Sequence, residues 1–337
     1  MMTKKLPRLT IVVPCYNEEA VLPSSAKTLG EILTKLIAGQ QVTTDSKILF
    51  VDDGSHDQTW ETIQTLQAQN ALFTGLKFSR NYGQEVALMA GLRTAAPYSD
   101  LTITIDADLQ DNPYLIPTMV QQAADGFDIV YGVRNDRSSD TWFKRTTAQR
   151  FYWLMNKIGV HLIPNHEDYR MMTRRALAAL LRYHETDPFI RGIVPQLGFP
   201  STKLYYKRRP RTAGVSKYPF SKMLKLALNG IFSFSLVPIR AIMGVGSLVC
   251  LAALVAFGWL GIDALRGITT AGVGPIMASL WLLGGLQLIA LGIIGEYVGR
   301  TFAQSKHRPA FIVETDTYSN EFAQKITEGT RFQHQPS

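Results

Sequence analysis

Apolar and polar positions follow two rhythms along this chain, and the change from one to the other divides it. Up to about residue 130, short β-branched runs are bounded by Pro, Gly or Asp. They are "LTIVVP" (Leu9–Pro14), "KILFVDD" (Lys47–Asp53), "GLKF" (Gly75–Phe78), "LTITID" (Leu101–Asp106) and "DIVYG" (Asp128–Gly132). Runs of this length and composition predict buried strands. The amphipathic stretches between them predict helices over Ala20–Ala38, Thr59–Gln69, Gln84–Thr94 and Pro113–Ala124. Strand–helix repetition predicts an α/β fold, a mostly parallel sheet with helices on both faces.

The second rhythm is apolar and continuous. Ala241–Ile262 holds no charge over 22 residues, and Pro275–Ile294 is a second such run. At about 1.5 Å per residue each is long enough for a hydrocarbon core of about 30 Å. Two transmembrane helices are therefore expected, joined by the linker Asp263–Gly274. Arg240, Lys222 and Lys225 precede the first run, and Arg300, Lys306 and Arg308 follow the second. The positive-inside rule puts both flanks in the cytoplasm. Two stretches mix aromatic and basic residues, Asp140–Ile158 and Tyr218–Phe234. Such helices suit a membrane interface, and packing on the sheet suits the first equally well. The expected organisation is a cytoplasmic α/β domain over 1–218, an amphipathic juxtamembrane helix over 219–238, two spans over 239–298 and a cytoplasmic tail over 299–337. The polar tail after about Thr315 is expected to be loosely ordered. Gly284, Gly285, Gly292 and Gly295 leave a homo-oligomer through helix packing open.

Composition sharpens this picture. Of 337 residues 18% are charged, against about 25% in soluble domains. The net charge is +8, which suits an anionic membrane surface, a phosphorylated substrate or a nucleic acid. Its placement decides: two of the three basic clusters, Lys203–Lys225 and Arg300–Arg308, flank the apolar region, and the third is Arg134–Arg150. No nucleic-acid-binding signature is found, so no nucleic-acid partner is expected. Cys15 and Cys250 lie in different regimes and form no disulfide framework.

Ligands of open α/β sheets bind outside the carboxyl ends of the strands. Four of those ends are unusually polar here: Tyr16-Asn17-Glu18-Glu19, Asp52-Asp53-Gly54-Ser55, Arg80 to Gln84, and Asp106-Ala107-Asp108-Leu109-Gln110-Asp111. Together they read as a nucleotide and metal site. A nucleoside diphosphate leaving group needs charge neutralisation, and hard cations prefer carboxylate oxygens. Asp106 and Asp108 at a strand end suit that use, although the spacing alone is weak. Asp52 and Asp53 suit a base and ribose, or simply a turn, since Asp-Gly-Ser is good turn chemistry. His166 reads as a surface or loop residue.

"IVVPCYNEE", "VDDGSHDQT", "NYGQEVALMAG" and "DADLQDNP" occur in this order. They resemble the nucleotide-sugar motifs of family 2 glycosyltransferases, whose fold is GT-A, a Rossmann-like, mostly parallel sheet. The apolar spans and "RRPRTAGVSKYPFSKMLKLALNGIFSFS" resemble the polyprenyl-phosphate branch, which includes dolichol-phosphate mannose synthases and bactoprenol glucosyltransferases. The resemblance covers about Leu9 to Arg308. It implies that Pro14, Tyr16, Asn17 and Glu18 line the uracil and ribose, and that Asp53 and Arg80 face the nucleotide. It implies Mg²⁺ or Mn²⁺ on the diphosphate, held by Asp106 and Asp108 with Gln110 beside them. Asp168 matches the aspartate beside the reacting centre, with Arg170 next to it. Arg134, Arg208, Arg211, Ser216 and Lys217 match positions that grip phosphates. One departure is Asp111-Asn112-Pro113, where many dolichol-type members have His-Pro-Pro; it leans toward the bacterial type.

The expected reaction is inverting transfer from a UDP-sugar, with UDP-glucose favoured, to a polyprenyl phosphate such as undecaprenyl phosphate. It would take place at the cytoplasmic face of the inner membrane, on a multi-pass protein whose catalytic domain lies in the cytoplasm. Asp168 either accepts a proton or only orients a substrate. A processive polysaccharide synthase is disfavoured because no Gln-x-x-Arg-Trp motif is present. A flippase or non-catalytic scaffold is disfavoured by the intact aspartates.

Overall fold

The computed structural model describes residues 6–135, 163–185, 188–207 and 273–324, with scattered positions between 239 and 266. The chain divides into two units. One comprises 1–156, 161–219 and 309–337, and the other 157–160 and 220–308.

In the first unit, eight strands form one sheet among the described residues. They are β1 (Leu9–Cys15), β2 (Lys47–Asp52), β3 (Phe73–Phe78), β4 (Leu101–Thr104), β5 (Ile129–Arg134), β6 (His166–Thr173), β7 (Ser201–Tyr206) and β8 (Val313–Asp316). The order is β7-β5-β6-β4-β1-β2-β3-β8. β4, β1, β2 and β3 run parallel. β6 lies antiparallel between β4 and β5, and β8 antiparallel on β3. The predicted α/β sheet is thus present, but mixed.

The helices α1 (Leu22–Ala38), α2 (Thr59–Gln69), α3 (Gln84–Ala95) and α4 (Ile116–Ala124) connect the early strands, close to their predicted bounds. Alternate residues of β1 and β2, such as Ile11, Val13, Ile48 and Phe50, join Leu29 and Leu33 of α1, Ile63 of α2 and Met119 of α4 in one core. Val12 and Val51 face the other way, onto α3. A Cβ at Gly91 would lie 2.4 Å from Val12 Cγ1, so glycine is what lets α3 pack directly on the sheet. Two shorter helices follow, α5 (Arg174–Leu180) and α6 (Ile190–Gln196).

Residues 316–324 differ from the expectation of a loosely ordered tail. β8 forms the sheet edge, and residues 317–324 continue as helix. Tyr318 and Phe322 are buried. Phe322 stacks on Tyr98 at 4.8 Å, and Glu321 Oε1 accepts from the buried Lys47 ammonium at 2.6 Å. Aromatic residues spaced four apart on a helix outweigh the polar composition that suggested a loose tail.

In the second unit, α7 (Val273–Ser305) is one helix of 33 residues. Within it Leu282–Ser305 is, among the described residues, the one segment long and apolar enough to cross a membrane, and none of that stretch is buried in protein. Glu296 lies within this helix. The first expected span, Ala241–Ile262, lies largely outside the described residues, and the interface stretches Asp140–Ile158 and Tyr218–Phe234 lie wholly outside them.

Candidate active site

The β1–β4 ladder ends at Val12 and Thr104, where Val12 still accepts from Ile105. Beyond it stands Pro14, which has no N–H to offer a neighbour. The two strands part there without stranding a donor, so a proline sits in a central strand at the mouth of a crevice. β1 leads on to its neighbour β2, whereas β4 on its other side is not consecutive with it, and such a switch in strand order is where these sheets bind ligands.

The loops lining the carboxyl edge are laced together. Asn17, at φ 53°, donates its N–H to Ser55 Oγ at 3.0 Å and accepts from His56 N at 2.9 Å. Glu18 N donates to Thr59 Oγ1 at 2.8 Å, and the Tyr16 ring meets His56 edge-on at 6.4 Å. Asp53 accepts from the backbone N–H groups of Tyr82 and Gly83, at 2.7 and 2.9 Å. It therefore ties the end of β2 to the start of α3. Burial pushes its carboxyl up to about 6, against the lowering effect of those two bonds. Gly54 lies at φ +64°, and a Cβ there would come within 2.3 Å of the Arg80 carbonyl carbon. Arg80 itself lies over the Tyr82 ring at 4.0 Å.

Because β6 runs antiparallel beside β4, with Thr104 opposite Arg170, the first residues of β6 reach the same edge as Asp106. Gln84, the first residue of α3, spans the gap: its Nε2 donates to Asp106 Oδ1 at 2.9 Å and to Asp168 Oδ2 at 3.3 Å. Burial, followed by the charges of Asp168, Asp111, Glu167 and Asp108, pushes the Asp106 carboxyl well above its usual range. Asp108 is half-buried and accepts from Gln110 N at 3.2 Å. Gln110 is buried, with no hydrogen-bond partner for its Nε2 among the described residues.

Asp168 is fully buried, which alone would raise its carboxyl, yet it is held down at about 2 by Arg191 and Arg170. Arg170 Nη2 donates to Oδ1 at 2.9 Å, Arg191 Nε to Oδ1 at 3.2 Å and Arg191 Nη2 to Oδ2 at 2.9 Å. Both arginines therefore favour its ionised form. Glu85, beside Arg191 at 4.0 Å, is pushed up to about 7 by burial and by Asp168.

Arg134 is engaged within the protein. Nη1 donates to Glu167 Oε1 at 2.6 Å, and Nη2 to Glu167 Oε2 and, at 3.3 Å, to Asp111 Oδ1. Tyr206 adds a bond to Asp111 Oδ1 at 2.6 Å. Arg208, Arg211, Ser216 and Lys217 lie outside the described residues. His166 is neither a surface nor a loop residue. It is buried at the start of β6, its Nδ1 is 3.0 Å from Gly132 O, and burial and Arg170 lower it to about 3, so it is neutral.

Sequence reasoning counted Gln84 among the polar strand ends without a role of its own, and gave none to Glu85, Glu167 or Arg191. Gln84 and Glu85 had a signal, since they open the helix after a polar strand end. Arg191 had none, because α6 is a short helix far along the chain.

Among the described residues no three His, Cys, Asp or Glu side chains converge to hold a metal by themselves. The carboxylates massed around Asp106 nevertheless suit a divalent cation that substrate phosphates also ligate.

Comparison with known proteins places the chain in a family. The chain is 47% identical over 322 residues to the glycosyltransferase YkoT of Bacillus subtilis, covering 96% of each chain. It is 38% identical to the bactoprenol glucosyl transferase of Shigella phage SfV, over 92% of this chain and 99% of that one. It is 36% identical to the prophage bactoprenol glucosyl transferase homolog of Escherichia coli, over 91% and 98%. Residues 10–181 match the family described as Glycosyl transferase family 2. On these grounds the chain belongs to glycosyl transferase family 2.

Proposed function

We propose that this protein transfers a sugar, with glucose from UDP-glucose the first choice, to a polyprenyl phosphate at the cytoplasmic face of a membrane. The observation that carries this reading is the joining of Asp106 and Asp168 through Gln84 at the carboxyl edge of the sheet. The names of the phage and prophage relatives, matched over nearly their whole length, support the lipid acceptor.

A topological argument supports a membrane hairpin. β7 ends at Tyr206 and β8 begins at Val313, and both belong to one sheet. Both ends of the intervening chain therefore lie on one side of any membrane, and that chain crosses an even number of times. Leu282–Ser305 supplies one crossing, and the uncharged run Ala241–Ile262 is the natural second. The assignment of 1–218 as catalytic domain and 219–238 as interface helix is part of the same proposal, as is an inner-membrane location.

A phosphate monoester is already a nucleophile, so no strong base is needed. One of its oxygens bonds to the anomeric carbon as the bond from that carbon to the UDP oxygen breaks, and the electron pair leaves with UDP. Attack from the opposite face inverts the configuration. Pro14, Tyr16, Asn17, Glu18, Asp53 and Arg80 hold the nucleotide. Asp106 and Asp108, with Gln110 beside them, hold Mg²⁺ or Mn²⁺, which when bound supplies positive charge against the leaving diphosphate. Arg208, Arg211, Ser216 and Lys217 receive the lipid phosphate.

The test is UDP release by the detergent-purified protein, with a short polyprenyl phosphate and a panel of UDP- and GDP-sugars. Lipid-dependent release that is lost in Asp108→Ala is the expected result, and it names the sugar. Nucleotide binding without release for any donor would refute transfer and favour a scaffold.

A further inference from the structure

An aspartate beside a reacting centre is ordinarily credited with acting on the substrate, but the bonding of Asp168 points elsewhere. A carboxylate offers about four in-plane acceptor sites. Here Oδ1 takes Arg170 Nη2 and Arg191 Nε, and Oδ2 takes Arg191 Nη2 and Gln84 Nε2. Its acceptor capacity is used within the protein. Asp168 and Arg170 are each 1% exposed, so neither can be reached by a substrate. The Arg191 side chain is 25% exposed, and it is the arginine of this trio that can be reached.

We propose that Arg191 is the residue through which this cluster meets a substrate phosphate, and that Asp168 is a positioning residue that acts through Arg191. The bidentate bond spends Nε and one Nη2 hydrogen and fixes the plane of the guanidinium. A fixed plane suits phosphate oxygens, because the remaining hydrogens lie in it. One negative charge is shared by two guanidinium groups, Arg170 and Arg191. Glu85, 4.0 Å from Arg191, is pushed toward its neutral form by burial and by Asp168, and so compensates only part of the excess. The same arginine bonds favour the ionised form of Asp168, whose charge orients a cation.

The inference rests on the transfer reaction proposed above, and wild-type turnover in the same assay separates the two. If the wild type is inactive with every donor, that reading fails. If the wild type is active, the variants decide this one. Arg191→Ala is expected to lose about 100-fold in kcat/KM, the scale of a misplaced reacting group, with part of the loss restored by added guanidinium. A raised KM for the polyprenyl phosphate with unchanged UDP affinity identifies the acceptor phosphate. Weakened UDP affinity identifies the donor diphosphate. Asp168→Asn is expected to cost little more once Arg191 is already alanine, because the two act as one unit. Wild-type kinetics in Arg191→Ala would overturn the proposal, as would a full additional loss from Asp168→Asn in that background. Should Arg191→Ala not fold, Arg191→Lys keeps the charge without the fork. Full activity there would overturn the proposal, and a raised KM or weakened UDP binding at wild-type thermal stability would support it.

Discussion

Tyr318 Oη lies 2.8 Å from Thr10 Oγ1, although 308 residues separate them. Ser99 Oγ completes the cluster, 2.6 Å from Thr10 and 3.2 Å from Tyr318. The last described helix is thereby fastened to the first strand. Tyr318→Ala removes a fully buried ring and is expected to cost about 3–5 kcal/mol. Tyr318→Phe is expected to cost about 1 kcal/mol, because Thr10 and Ser99 can still pair with each other. Urea unfolding of the detergent-solubilised protein checks both values. Equal effects from the two variants would show that the hydroxyl cluster, and not the packing, holds the tail.

Gly54→Ala is expected to abolish nucleotide binding. The left-handed backbone at φ +64° already disfavours a side chain, and the new Cβ would meet the Arg80 backbone at 2.3 Å. Backbone cannot move aside as a flexible side chain can. The loops after β2 and β3 would have to separate, carrying Asp53 away from Tyr82 and Gly83. Calorimetric titration with UDP measures the loss, and wild-type affinity in this variant would show that these loops do not form the nucleotide site.

Stability is expected to fall between about pH 4 and 6 through Asp53. Its folded-state value of about 6 lies above the ordinary 3.8, so between those values the folded protein binds more protons than the unfolded chain. The stabilising contribution is whole below about pH 3.8 and is lost as pH rises through 6, amounting to about 3 kcal/mol. Asp53→Asn removes the titration. The difference in urea midpoint between wild type and Asp53→Asn should therefore change across this range. A constant difference would mean that the carboxyl titrates normally.

Divalent cation is expected to strengthen UDP binding, and EDTA to abolish that gain. Asp106→Asn and Asp108→Asn should each flatten the dependence, because each removes a charge from the set that faces the diphosphate. Titrations with UDP at fixed Mn²⁺ and in EDTA supply the measurement. An undiminished Mn²⁺ effect in both variants would place the cation elsewhere.

Much of the parallel half of the fold was legible because strand and helix signals there are local. β-branched runs end in Pro, Gly or Asp, and α2 and α3 begin at the residues the pattern predicted. β6 was not legible: "HEDYRMMT" (His166–Thr173) carries charges at Glu167, Asp168 and Arg170, and no periodicity marks it as a buried strand. It is buried because Asp168 and Arg170 neutralise each other and Arg191 completes the set, a long-range arrangement that no window of sequence contains. The same limit hid Arg191. The strand-end aspartates could be read from position alone, whereas their partners come from α3, β6 and α6.

Arg134 was matched to phosphate-gripping positions, and its bonding implies a different dominant effect of removing it. Its side chain is 12% exposed, that of Asp111 is 2% exposed, and Glu167 closes the group with two bonds. Burial opposes the charge of Arg134, but Glu167 and Asp111 outweigh it and raise the guanidinium above its usual range. Arg134→Met would take a buried cation away from Asp111 and Glu167, a change that costs about 3–5 kcal/mol. Adding Asp111→Asn should recover part of that loss, because the amide still accepts from Tyr206 without a charge to bury. Urea unfolding of the single and double variants measures both steps. If Arg134→Met instead kept wild-type stability and raised only the KM for the lipid phosphate, Arg134 would be a substrate contact and its ion pairs incidental.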